Sequence, residues 1–113
     1  MSLLSEITTE LTALQIPAEV GLFKATPAPE QFCVLTPLNN RFECSDDRPD
    51  QDLQAVRVSL FSKTSYTATA REITEALIGA EIVVTDRRYI GHEDDTGYHH
   101  YVIDVEKNYT WED

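Results

Sequence analysis

Apolar residues recur near the start of the chain at intervals of three and four. Leu3, Leu4, Ile7, Leu11 and Leu14 form one stripe, with Glu6, Glu10 and Gln15 away from it. That is the period of an amphipathic helix. It predicts a helix over 3–15, with Ser2 as N-cap and Pro17 as stop. A second stripe, Ala70, Ile73, Ala76 and Leu77, predicts a helix over 67–78. Thr69 and Glu72 have capping-box spacing, with a start one turn earlier, at Ser65, as the alternative. Gly79 reads as the residue that ends this helix.

Elsewhere the period is two. Tyr101, Ile103 and Val105 alternate with Val102, Asp104 and Glu106, and Tyr109 and Trp111 continue the apolar parity. This is the signature of a half-buried strand. Ile82–Thr85 and Arg87–Ile90 supply its partner, and Asp95-Thr96-Gly97 is the turn between them. The C-terminal third therefore predicts a long hairpin on which the upstream elements pack. Val20–Phe23 reads as a short strand, and Ala25–Pro29, with two prolines, as a loop. Gln31–Leu38 is a strand with Phe32 and Val34 on the buried parity, and Pro37 marks an edge or an end. Leu53–Ser62 is a strand with Val56, Val58 and Leu60 on one face. The stretch between them, 39–52, reads as a long protruding loop. It carries five acids, Glu43, Asp46, Asp47, Asp50 and Asp52, against Arg41 and Arg48.

The predicted order is α-β-β-β-α-β-β, an α+β fold. Its sheet is antiparallel, with a mixed sheet as the alternative, and both helices cover one face. The other face stays wet or meets a neighbour. The 113 residues suit one domain, 1–113, whose folding buries roughly two thirds of the unfolded chain's surface. No apolar run reaches membrane-spanning length, and the N-terminus lacks the basic leader and apolar run of a signal peptide. Two cysteines, Cys33 and Cys44, are too few for a disulfide framework; two free thiols are expected, with a Cys33–Cys44 bridge left open. The net charge of −11 opposes nucleic-acid binding, which needs Lys and Arg to displace counterions. It keeps copies apart in solution, and it suits a place where DNA must pass without sticking.

The one constellation with ligand chemistry is His92, Glu93, Asp94, Asp95, His99 and His100. Its spacing matches no metal motif, and adjacent strand residues such as His99 and His100 point to opposite faces. Glu93-Asp94-Asp95 and Asp46-Asp47 lack calcium-loop spacing. No nucleophile elbow or phosphate-binding glycine pattern is present. Tyr98, Tyr101, Tyr109 and Trp111 have no basic groove around them to serve as a nucleic-acid stacking platform. Asp104 and Glu106 read as a solvated outer face. The chain is thus expected to have no catalytic centre, metal or cofactor.

Three segments carry a family likeness: Val56-Arg57-Val58-Ser59-Leu60-Phe61-Ser62-Lys63, followed by Tyr66 and Ile73-Thr74-Glu75-Ala76-Leu77; Tyr89 with Glu93-Asp94-Asp95-Thr96-Gly97-Tyr98-His99-His100; and Leu14-Gln15-Ile16-Pro17-Ala18-Glu19-Val20-Gly21. In these segments, and in element order and length, the chain resembles the tail-completion proteins of long-tailed bacteriophages, also called tail terminators or head–tail joining proteins. The acidity of 39–52 and the two cysteines depart from that pattern. The resemblance implies a non-enzymatic virion protein, made in the bacterial host cytoplasm and located at the head–tail interface. Copies would form a ring, read as a hexamer, that caps the tail tube protein and meets the head connector or head-completion protein. DNA would pass through without specific binding, and no membrane is involved. Expected contacts lie in 39–52 (Glu43, Asp46, Asp47, Asp50, Asp52), the hairpin tip (His92, Glu93, Asp94, Asp95, Tyr98) and the tail (Tyr109, Trp111). Two rivals stand beside this reading. One is a small metal-dependent hydrolase or nuclease using His92, Glu93, Asp95 and His99; the other is a module that binds a partner by strand addition.

Overall fold

The computed structural model describes residues 2–23, 28–45 and 48–110, with side chains described outside 40–50. The elements run α1 (Leu3–Ala13), β1 (Ala18–Val20), β2 (Gln31–Ser45), β3 (Arg48–Ser62), α2 (Tyr66–Gly79), β4 (Val83–His92) and β5 (His99–Thr110). The class is α+β, with one five-stranded sheet in the order β1-β2-β3-β5-β4. The sheet is mixed rather than antiparallel: β1 runs parallel to β2, with Ala18 opposite Cys33 and Val20 opposite Leu35, while every other pairing is antiparallel.

Buried residues of α1 (Leu3, Ile7, Leu11) and α2 (Ala70, Ile73, Leu77) form one cluster with Cys33, Leu35, Val56, Val58, Leu60, Ile103 and Val105. Cross-strand registers put Cys33, Leu60 and Tyr101 in one row, and Leu35, Val58 and Ile103 in the next. The alternations of β3 and β5 thus point as their sequences predict. That of β2 is reversed: Cys33 and Leu35 enter the helix-covered core. Phe32 lies on the opposite face, where it is also buried, and Val34 is only half-buried.

The segment 39–52 is not a loop in its described part. Residues 39–45 and 48–52 extend β2 and β3 as a paired arm, with bulges between Pro37 and Asn39 and between Glu43 and Cys44. Fifteen residues per strand at about 3.3 Å each give roughly 50 Å, which accounts for the molecule's 53 Å long axis. Pro37 neither ends β2 nor breaks it. From Thr36 onward β2 has no strand on its outer side among the described residues, so the missing N–H costs no ladder bond there. Cys33 is a free thiol. Cys44 lies eleven positions along the same strand, far beyond the 7 Å or so that a disulfide spans. Most of the Ala25–Pro29 loop, as well as Asp46, Asp47 and Trp111, lies outside the described residues.

Both helices end in the same way. Ile16 N–H donates to Leu11 O and Gln15 N–H to Thr12 O, both at 2.9 Å; Ile82 donates to Leu77 O at 3.0 Å and Glu81 to Ile78 O at 2.9 Å. These are Schellman closures, each sealed by a buried apolar pair, Ile16 with Leu11 and Ile82 with Leu77. The left-handed position is Gln15 (φ 62°) in one and Glu81 (φ 65°) in the other. Gly79 is therefore the last helical residue rather than the stop. The second helix begins at Tyr66 after Ser65, whose side chain makes no capping bond, whereas Ser2 and Ser5 cap α1 reciprocally. No helix is long and apolar enough to cross a membrane among the described residues.

A side chain in the left-handed region costs roughly 1–2 kcal/mol, part of which glycine gives back as unfolded-chain entropy. Gln15→Gly and Glu81→Gly are each expected to raise stability by about 0.5–1 kcal/mol, read from urea unfolding. Ile73→Ala, in the fully enclosed core, is expected to lower it by about 2–5 kcal/mol.

Candidate functional site

The β4–β5 tip is held from the side of the sheet that faces away from the helices. Phe32, Phe61 and His100 lie in one cross-strand row. Phe32 stacks on Phe61 at 5.1 Å and Phe61 on His100 at 4.3 Å, with Phe23 against Phe32 at 4.3 Å. Tyr98 closes this group edge-on to Phe32 at 5.2 Å. Its hydroxyl donates to Pro29 O at 2.6 Å, and Lys63 Nζ lies 5.0 Å from its ring centre. Tyr98, expected as an outward contact, is therefore only 7% exposed and anchors the turn instead.

On that anchor the turn is well ordered. Glu93 N–H donates to Tyr98 O at 2.8 Å, and Gly97 N–H to Glu93 O at 2.7 Å. Gly97 takes φ +81°, which glycine adopts without cost. Thr96 Oγ1 donates to Glu93 Oε1 at 2.8 Å. His92 Nδ1 lies 3.3 Å from Asp94 Oδ1, and the Asp94 side chain is fully exposed. The tip thus presents carboxylates in sequence, with Asp95 exposed beside Asp94.

The histidines divide as adjacent strand residues must. His99 faces Tyr66 and Tyr89, its Nδ1 3.0 Å from the Tyr89 hydroxyl, and its ring is 4.6 Å from that of His92. His100 lies on the other side against Phe61, and its Nε2 is buried with no partner among the described residues. Among the described residues, no three His, Cys, Asp or Glu side chains converge to hold a metal. Burial pushes the His100 imidazole below its ordinary value; Glu93 opposes this and Arg57 adds to it.

Two further expected contacts are built into the fold. The Tyr109 hydroxyl donates to Glu6 Oε2, and Lys107 Nζ donates to Glu6 Oε1 at 2.9 Å and to Ala80 O, the end of α2, at 3.0 Å. One cluster therefore ties both helices to β5. Burial works to raise the Glu6 carboxyl, but the hydrogen bonds from Tyr109 and Lys107 and the Lys107 charge outweigh it, and its pKa lies below the ordinary 4.5. Asp52 accepts from Gln54 Nε2 at 2.9 Å, and Gln54 Oε1 accepts from Leu3 N–H at 2.8 Å. This relay sets an acid behind the first turn of α1, where the helix dipole favours negative charge. Asp104, read as solvated, instead takes both hydrogen bonds of the Arg57 fork, at 2.8 and 3.0 Å. Of the arm acids, Glu43 sits opposite Gln51 and Asp50 lies on β3; their side chains, like all of Asp46, Asp47 and Trp111, lie outside the described set.

What sequence reasoning missed is the outer edge of β4. It exposes Val83, Tyr89 and Ile90 and runs beside a cleft between itself and α2. The signal in the sequence was the adjacent apolar pair Tyr89-Ile90, which a strand buried on one face only would not carry.

The folded-state pKa of His100 lies below 6.5, so the unfolded chain binds its proton first. Stability should rise with pH between the folded value and 6.5 and be flat in this group below and above that window. His100→Phe is expected to remove that dependence, checked by urea midpoints across acid pH. Glu6, also lowered, acts in the same direction at lower pH: its contribution is whole above 4.5 and lost as pH falls through its folded value. Tyr109→Phe should cost about 1–2 kcal/mol near neutrality, and that difference should shrink in acid.

No protein-family model matches the chain, and no similar sequence is found among curated proteins.

Proposed function

We propose that this chain is a tail-completion protein of a long-tailed bacteriophage, a non-enzymatic part that caps the tail tube and joins it to the head. In this reading copies close into a ring, taken as a hexamer, against the tube protein on one side and the head connector on the other. It works at the head–tail interface of the virion. The observation that carries the reading is the pair of unlike free sheet edges. One is the outer side of β2 from Thr36 along the arm, and the other is the outer side of β4, where Val83, Tyr89 and Ile90 are exposed beside Thr85, Asp86, Arg87 and Arg88; no strand covers either among the described residues. A ring needs two different complementary surfaces per subunit, because each copy meets its neighbours head to tail. A sheet edge offers a row of unpaired N–H and C=O groups that must be shielded or used.

The remaining features fit the same role. Two helices laid on one face of a mixed sheet give a rigid body from which the arm and the β4–β5 tip reach outward. The net charge of −11 suits a channel wall along which DNA slides, since basic side chains there would hold phosphates. The acids of 43–52 are the proposed lining, with those of 93–95 as the alternative. The β4 edge also favours a second reading, a module that accepts a strand from a partner.

The test is location. The tagged chain is expressed in its source strain, phage particles are induced and purified, and gold label is imaged by electron microscopy. Gold at the head–tail junction is the expected result. Protein absent from particles and soluble in the lysate overturns the virion reading and leaves strand addition. Neutralising Asp46, Asp47, Asp50 and Asp52 together should impair DNA delivery; unchanged delivery would remove the arm from the lining.

A further inference from the structure

A cleft of about 530 Å³ separates α2 from β4, within the size range of ligand sites. Tyr66, Tyr101 and Ala70 form its apolar wall, and Arg71, Arg87 and Glu75 stand around it. Arg87 Nη1 reaches only Thr74 Oγ1, at a long 3.4 Å; among the described residues no carboxylate lies within ion-pair distance of it. Arg71 faces Glu75 at 3.4 Å, with both side chains mostly exposed, a pairing weak enough to be exchanged. The chain has nine Lys and Arg against twenty acids, yet two arginines meet here around an aromatic wall. Guanidinium forks match carboxylates two bonds at a time, so the cleft suits a small acidic turn.

The same fold carries such a turn. Glu93, Asp94 and Asp95 are consecutive acids on the ordered β4–β5 tip, and Asp94 is fully exposed. Like charges so close repel one another until a cation meets them, and a pre-ordered turn loses little entropy on binding. The tip turns beyond the His92–His99 rung of the strands that carry Arg87 and Tyr101. The paired strands hold it away from its own cleft, so the partner is a second copy. We propose that the α2–β4 cleft receives the Glu93–Asp95 tip of a neighbouring copy, with Arg87 and Arg71 binding its carboxylates. This rests on the ring reading and gives that ring its head-to-tail contact.

The full chain, isotope-labelled, is followed by NMR over a dilution series from millimolar to low micromolar. The expected result is a joint, saltable concentration dependence of the Arg71 and Arg87 Nε signals and the amides of 93–97. Arg87→Glu and Asp94→Arg should each abolish it. Mixing these two variants should restore it, because the intact cleft of the Asp94→Arg chain meets the intact tip of the Arg87→Glu chain, and the reversed cleft meets the reversed tip. Absence of concentration dependence overturns the proposal, as does failure of the mixed pair to recover. Arginine signals that respond to inorganic phosphate but not to dilution also overturn it, in favour of a small-anion site. Gold at the head–tail junction without this contact defeats the inference alone; the contact in solution from a protein absent from particles defeats the virion reading alone.

Discussion

The strands β3 and β5 pair without a register shift from Gln51 opposite Thr110 to Ser62 opposite His99, and both outer antiparallel pairings bulge around them. Everything else takes its position from that rail. A slip of one residue would send Val56, Val58, Leu60, Ile103 and Val105 to the wrong side, stripping both helices of their floor. The opposite face resists the same slip. It would separate Arg57 from Asp104 and break the row of Phe32, Phe61 and His100. Register is thus fixed twice, by apolar burial under the helices and by an ion pair and aromatic stacking on the other side. The bulges fall on the outer pairings, where strands twist away without disturbing this agreement.

The elements whose burial is one-sided were legible. Helix stripes and the alternation of β3 and β5 report directly which atoms leave water. Where burial is two-sided the pattern says less: Phe32-Cys33-Val34-Leu35 is apolar at every position, so either parity reads equally well, and aromatic size pulled the reading toward Phe32. The arm failed for the opposite reason. Residues 39–52 carry no apolar period, and acids beside Pro49 look like loop. Glu81 shows a third limit. The conformation that ends α2 is demanded by the Leu77–Ile82 closure, and that demand falls at Glu81, past the Gly79 that local preference points to.

The candidate site was legible in place more than in use. A turn at 95–97 followed from its own residues. That Tyr98 anchors it from beneath, through Pro29, depends on a contact across most of the chain that no local pattern encodes. Tyr109 and Asp52 likewise read as available surface until α1 is set down beside them. The exposed part of the tip is what remains once these groups are committed inward: the three carboxylates, with His92 and Thr96 beside them.

Cys33 gives the core a chemical clock. It is wholly enclosed between β1, β3 and the helix layer, and burial pushes its thiol up to about 12. At neutral pH almost none of it is thiolate, the form that reacts with alkylating reagents. Modification must therefore wait for an opening that admits solvent to the sulfur, and the labelling rate counts such openings rather than surface encounters. A chain whose neighbours clamp its edges would open less often, so the same sulfur registers whether the subunit stands alone or is held in an assembly.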